Sequence, residues 1–181
     1  RSAGQQELVM CASVTPATES GRIELFCQDL EDRFGYGLPR YEAVARSRPF
    51  SIISPSSSKR TNATFGGDPA SAGTEVVEIN PADASASGIT EGQLVEVVND
   101  LGRVVLQARL TDAVAPGVLY SPKGTWLGSS ASGQTVNALI DAELKTDIVD
   151  GACYNETFVE LRRFEGQADT VVHQANAAHD R

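Results

Sequence analysis

Apolar positions along this chain come in short runs, not in long helical stripes. Val76, Val77 and Ile79 form one β-rich run, and Leu94, Val95, Val97 and Val98 form a second. Arg103 to Leu110 reads as a strand returning from it. Such β-branched clusters suit a pleated, half-buried surface. Between the first two runs Asn80 stands where a helix N-cap belongs, with Pro81 at the first helical position. Asp83 falls in the first turn, where its charge meets the helix dipole. Gly88 ends the helix after about two turns, as a left-handed residue can, and Gly92 marks another turn. Asn99-Asp100-Leu101-Gly102 is hairpin chemistry. The unit is strand, short helix, hairpin. It is too short for a Rossmann crossover and too rich in strand formers for a bundle.

The same pattern extends to both sides. Phe50 to Ser54 predicts a buried strand stopped by Pro55, Gly117 to Ser121 another, and Thr157 to Arg163 a closing strand. Leu8, Val9, Met10, Ala12 and Val14 fit one more, ended by Pro16. Glu19 to Gly35 supports two readings: Ile23, Phe26, Leu30 and Phe34 recur at helical spacing, whereas Ile23, Leu25 and Cys27 alternate like a strand. Val136 to Leu144 fits a short helix. Gly66 to Gly73 and Leu127 to Gln134 read as loops, and Glu165 to Arg181 as a fraying tail. The sum is about six short strands and two brief helices, which pattern alone allows to be a small barrel or a sandwich.

Composition narrows the function classes. The 181 residues suffice for one domain plus appendages, and 41% apolar content supports a real core. A net charge of -9 argues against a nucleic-acid partner. No apolar run approaches the roughly 18 residues of a membrane span. The chain has no initiator Met and no signal peptide at Arg1, and its opening Arg1-Ser2-Ala3-Gly4 reads as a fragment. Cys11, Cys27 and Cys153 are odd in number and form no C-x-x-C pair, which suits reduced thiols in the cytoplasm and supports neither an iron–sulfur cluster nor a zinc site. His173 and His179 both lie in the tail and read as solvated side chains; no metal site is expected.

Five segments carry a resemblance. I-N-P-A-D-A, then G-I-T-E-G-Q-L-V-E-V, then N-D-L-G-R-V lie within Val76 to Leu106. S-P-S-S-S-K-R-T-N-A-T-F (Ser54 to Phe65) precedes them. P-G-V-L-Y-S-P-K-G-T-W (Pro116 to Trp126), T-V-N-A-L-I (Thr135 to Ile140) and G-A-C-Y-N-E-T-F-V-E-L (Gly151 to Leu161) follow. In this order, from about Phe50 to Arg163, they resemble the C-terminal molybdopterin-dinucleotide-binding domain of the dimethyl sulfoxide reductase family of molybdenum and tungsten oxidoreductases, which includes formate dehydrogenase.

The resemblance implies a mainly β fold: a six-stranded double-psi β-barrel with short helices, in which closure removes sheet edges. It divides the chain into an extension leading out of a preceding domain (1–47), the barrel (48–165) and a polar tail (166–181). Thr15-Pro16 and Ser20 to Leu25 are similar to the family's segment leading out of that domain, with Ala17, Thr18 and Glu19 intervening. The implied cofactor is molybdopterin guanine dinucleotide, two copies per molybdenum or tungsten. The metal ligand and electron-transfer centres would lie in the parent's other domains, so this chain would hold a cofactor without turning over alone.

A protein holding such a cofactor needs donors for phosphate, amides for ring edges and a wall for flat rings. Ser57, Ser58, Lys59 and Arg60 suit phosphate or ribose, since successive N–H groups beside two cations make an anion cradle. A flexible serine linker is the plainer reading of the same stretch. Lys123 adds a cation, and Gly124 permits close backbone approach. Trp126 can stack on a ring or fill core. Asn62, Asn137 and Asn155 carry amides that read a pterin or purine edge, or else cap turns. The resemblance places Asn137 and Asn155 near the pterin and makes Asp147 a loop-ordering acid. Ala63 and Ile140 stand where the family commonly has serine and threonine, which removes hydroxyls from the expected site. Asn80 and Asp83 are explained by capping alone. Two other readings of a double-psi barrel remain: a stand-alone binding or adaptor module, and a self-processing decarboxylase cleaved at Gly128-Ser129.

Overall fold

The computed structural model describes residues 9, 10, 12–64, 68, 75–130, 132–146 and 148–166. The chain divides into two compact units, 1–44 and 45–181. The Gly66–Gly73 loop is described only at Asp68, and Cys11, Asp147, His173 and His179 lie outside the described residues.

In the first unit the expected strand over Leu8–Val14 is instead a turn among the described residues. The N–H groups of Ala12, Ser13 and Val14 all point to the Val9 carbonyl. Ser13 Oγ accepts from Val9 N–H at 2.7 Å, so a local side chain takes the donor a strand would have used. The helical reading of Glu19–Gly35 holds only for its last part, α1 (Gln28–Phe34). Gly35 ends it in the left-handed conformation, φ 67°; its N–H bonds Glu31 O at 2.8 Å and the following Tyr36 N–H bonds Leu30 O at 3.4 Å.

The second unit is a closed barrel. Its strands are β1 (Phe50–Ile53), β2 (Val76–Ile79), β3 (Leu94–Val98), β4 (Arg103–Leu110), β5 (Val118–Tyr120) and β6 (Thr157–Arg163). Around the barrel the order is β1-β5-β2-β4-β3-β6. β1 with β5 and β2 with β4 are parallel; the other four pairings are antiparallel. This is the six-stranded double-psi barrel that the resemblance implies, and closure rules out the sandwich. Burial alternates along the strands as a two-residue period requires: Val95 and Val97 of β3 are buried, and Glu96 between them is not. Ile52, Val77, Ile79, Val95, Val97, Val104, Leu119 and Val159 fill the interior.

One helix interrupts the barrel, α2 (Pro81–Ala86), and its local signals hold. Asn80 Oδ1 accepts from Ala82 N–H at 3.0 Å, Pro81 begins the helix, and Gly88 takes φ 64° just beyond its end. At the β3–β4 turn, Asn99 N–H bonds Gly102 O, and the Asn99 side chain accepts from Leu101 and Gly102. The helix expected over Val136–Leu144 shrinks to a 3-10 turn, Val136–Leu139. Leu139 is fully buried there and plugs the barrel, so the chain follows the plug and not helical propensity. No helix among the described residues is long and apolar enough to cross a membrane.

Candidate functional site

Strand directions determine what meets at each end of the barrel. The C-terminal ends of β1, β3 and β5 and the N-terminal ends of β2, β4 and β6 share one mouth. The loops leaving β1 and β5, the β3–β4 turn and the connection entering β6 therefore gather there. A cleft of about 260 Å³ opens between them. Ser54, Asn62 and Ala63 line it from the loop after β1, Pro122 to Thr125 from the loop after β5, and Thr135 to Asn137 from the 3-10 turn.

The two main loops are joined backbone to backbone. Lys123 N–H donates to Pro55 O at 3.0 Å, and Trp126 Nε1 donates to Ala63 O at 2.6 Å. Gly124 has φ +101°, and a Cβ there would stand 1.8 Å from the Asn62 carbonyl oxygen. Only glycine fits that contact. Asn62 itself adopts φ 50°, a left-handed conformation that asparagine tolerates better than most residues.

Of the candidates read from sequence, four line the cleft together: Asn62, Lys123, Gly124 and Asn137. The close approach at Gly124 is real, but it is made by the chain's own Asn62 carbonyl. Lys123 is the charged side chain of the lining, half-buried. Trp126 stands beside the cleft, 47% exposed, so it is a surface ring and not core. Asn155 belongs to the same mouth, exposed in the turn where Glu156 N–H bonds Cys153 O, but it is not in the cleft wall. Ser57, Ser58 and Lys59 sit on a tight turn bridged from Ser57 to Arg60. Lys59 N–H there points to Ser57 Oγ at 3.3 Å. Arg60 is 2% exposed, its guanidinium facing Glu75 Oε1 at 2.9 Å and Thr125 Oγ1 at 3.4 Å.

Ser54, Thr125 and Thr135 also line the cleft and were not singled out by the sequence reading. Ser54 Oγ is buried with no hydrogen-bond partner, a costly arrangement that a ligand acceptor or donor relieves. The signal for it was present but weak: Ser54 closes the apolar Phe50–Ile53 run. The donor set of the cleft is one ammonium, three hydroxyls and two amides. It fits an anionic, nitrogen-rich ligand such as a pterin dinucleotide, whose phosphates need cations and whose ring edges need amides.

Comparison with known proteins agrees with this chemistry. The chain is 28% identical over 178 residues to dimethyl sulfoxide/trimethylamine N-oxide reductase of Cereibacter sphaeroides, covering 85% of this chain and 22% of that protein. It is 33% identical over 106 residues to trimethylamine-N-oxide reductase of Vibrio vulnificus, covering 55% of this chain and 13% of that one. It therefore spans less than a quarter of the length of these relatives. Among solved structures it resembles acetylene hydratase from Pelobacter acetylenicus, with a TM-score of 0.61 at 19% identity, over 84% of this chain and 25% of that one. That likeness concerns the fold. Residues 50–158 match the family described as "Molydopterin dinucleotide binding domain". With the closed barrel and the donor-lined cleft at one mouth, this places the chain in that family: it is a molybdopterin-dinucleotide-binding domain of the dimethyl sulfoxide reductase type.

Proposed function

We propose that the chain holds the guanine form of the cofactor, molybdopterin guanine dinucleotide, as one domain of a molybdenum or tungsten oxidoreductase. Other domains of the parent complete the site and carry the metal ligand. The observation that carries the reading is the cleft itself. A half-buried Lys123, the amides of Asn62 and Asn137 and the unpartnered Ser54 hydroxyl converge on one mouth of a rigid barrel. Lys123 is suited to the pyrophosphate as a point charge. The amides are suited to ring edges, and Ser54 Oγ gains the partner it lacks. When bound, the metal–pterin group supplies the redox chemistry; the barrel's part is to bind, orient and shield it. The chain alone is not expected to turn over substrate.

The parent's other domains would have a surface to meet. Every large exposed apolar residue of the barrel unit among the described residues lies in connections of the cleft mouth: Leu101, Trp126, Leu127, Leu144, Val149 and Tyr154. Single exposed apolar residues are ordinary, but their concentration at one end suits a docking face. Titration calorimetry with guanosine diphosphate, using adenosine diphosphate as control, tests the reading. Guanosine diphosphate should bind and lose affinity with added salt. Equal binding of the two nucleotides would remove the guanine assignment, and binding of neither would remove the cleft as the dinucleotide site.

A further inference from the structure

We propose that Arg60 is a positioning residue of the cleft and not a ligand to the anion it holds; this rests on the function proposed above. Arg60 follows Lys59 in a serine-rich, cationic stretch, which invites a phosphate-binding role for both. The structure directs its charge elsewhere. Among the described residues four polar or charged side chains are buried, and Arg60 is the charged one. Its Nη2 meets Glu75 Oε1 at 2.9 Å, where β2 begins. Its Nη1 meets Thr125 Oγ1 at 3.4 Å, in the loop after β5. Its Cδ packs under Gly124, 3.3 Å from where a Cβ would be.

One side chain thus ties its own loop to two segments distant in sequence, and its loop and the one after β5 both line the cleft. Directly above it the Asn62 carbonyl meets Gly124, and Lys123 N–H bonds Pro55 O. The spacing between the Asn62 amide and the Lys123 ammonium depends on this stack. A buried ion pair is seldom a net gain over an apolar pair of the same volume, so its use here lies in geometry. The planar guanidinium presents two nitrogens in a fixed fork to Glu75 and to Thr125; an ammonium, a single nitrogen on a flexible stem, does not reproduce that fork. With Glu75 neutralising it, Arg60 adds little field to the cleft, and attraction of an anion falls to Lys123.

The test uses the 181-residue chain, guanosine diphosphate as probe, and the variants Arg60→Lys and Lys123→Ala. Arg60→Lys keeps the charge and should weaken binding roughly tenfold while leaving the salt dependence as in the wild type. Lys123→Ala should weaken binding and flatten the salt dependence. Independently of any ligand, amide exchange at Lys123 N–H should speed up roughly tenfold in Arg60→Lys, with Val95 and Val97 in the barrel unchanged. A flattened salt dependence in Arg60→Lys would show that the guanidinium meets the anion directly and would overturn the proposal. Wild-type affinity with wild-type exchange at Lys123 would overturn it as well. If Arg60→Lys does not fold, Glu75→Gln replaces it: faster exchange at Lys123 supports the proposal and unchanged exchange overturns it. Absence of wild-type binding to guanosine diphosphate would defeat the functional reading, while the exchange comparison would still decide the role of Arg60.

Discussion

The two mouths of the barrel use similar materials, short strands joined by turns with positive-φ glycines, yet they finish differently. At the mouth away from the cleft the chain satisfies its own polar groups. Asn80 Nδ2 donates to Val114 O at 2.9 Å, and Asp83 Oδ2 accepts from Gly117 N–H at 2.7 Å. Glu91 Oε2 accepts from Leu110 N–H at 2.6 Å, and Arg163 Nε donates to Gly88 O at 2.8 Å. Ala84, Ile89 and Val114 are buried beneath. At the cleft mouth Leu139 is buried in the core, but the same mouth carries a half-buried cation, an unpartnered serine hydroxyl and several exposed apolar side chains. One end is finished within the chain. The other carries groups that a ligand and further protein would complete. The difference shows where binding capacity is kept: in loops that are joined to each other at several points yet leave Ser54 Oγ without a partner beside a half-buried Lys123.

The sharpest way to break this comparison is one substitution made at both ends. Gly124→Ala drives a Cβ into the Asn62 carbonyl at φ +101°. It should cost about 3 kcal/mol in urea unfolding and abolish binding of guanosine diphosphate. Gly92→Ala, at the other mouth, has only Gln107 Nε2 at 3.9 Å and φ +75°. It should cost about 1 kcal/mol and leave binding intact. Leu139→Ala empties the plug and should cost about 3 kcal/mol by the same measurement. Lys123→Ala should leave the unfolding free energy within about 0.5 kcal/mol of wild type while losing about tenfold in affinity. A stability loss instead would make Lys123 part of the scaffold. Asn80→Ala removes an N-cap and the bond to Val114, so it should cost about 1 kcal/mol without touching affinity.

The smallest expected effect is with pH. Glu160 is held below the usual carboxylate range, first by its hydrogen bond from Arg162 and further by Arg48. A depressed folded value means the stabilisation is present above the ordinary value of 4.5 and is lost as pH falls through the folded one. The urea midpoint should therefore fall as the pH drops below about 5, and the fall should shrink in Glu160→Gln. An equal fall in both would assign the acid sensitivity to other carboxylates.

Part of the site was legible because its requirements are local. Asn62, Lys123, Gly124 and Asn137 were read from loop segments by residue type, and strand direction brought them to one cleft. Ser54 was missed because a serine closing an apolar strand looks like any strand end; only its burial without a partner makes it notable. Ser57, Ser58, Lys59 and Arg60 read as an anion cradle or as a flexible linker, and none of the four is in the cleft wall. The strand expected over Leu8–Val14 gave way to a turn because a serine hydroxyl competes for one donor.

What the sequence by itself determined are the features settled within a few residues. The Asn80–Pro81 helix start, the left-handed Gly88, the Asn99–Gly102 hairpin and the alternation of Val95 and Val97 with Glu96 all follow from backbone sterics and side-chain period. Tertiary structure alone decided that Arg60 faces Glu75, 15 positions away, and that the Gly124 contact belongs to Asn62. Both depend on barrel closure, which sets parallel β1 beside β5 and β4 beside β2. From sequence Arg60 reads as a donor to phosphate or ribose; once closure buries it, it faces a carboxylate, because leaving a buried charge unpaired costs more than the fold can spare.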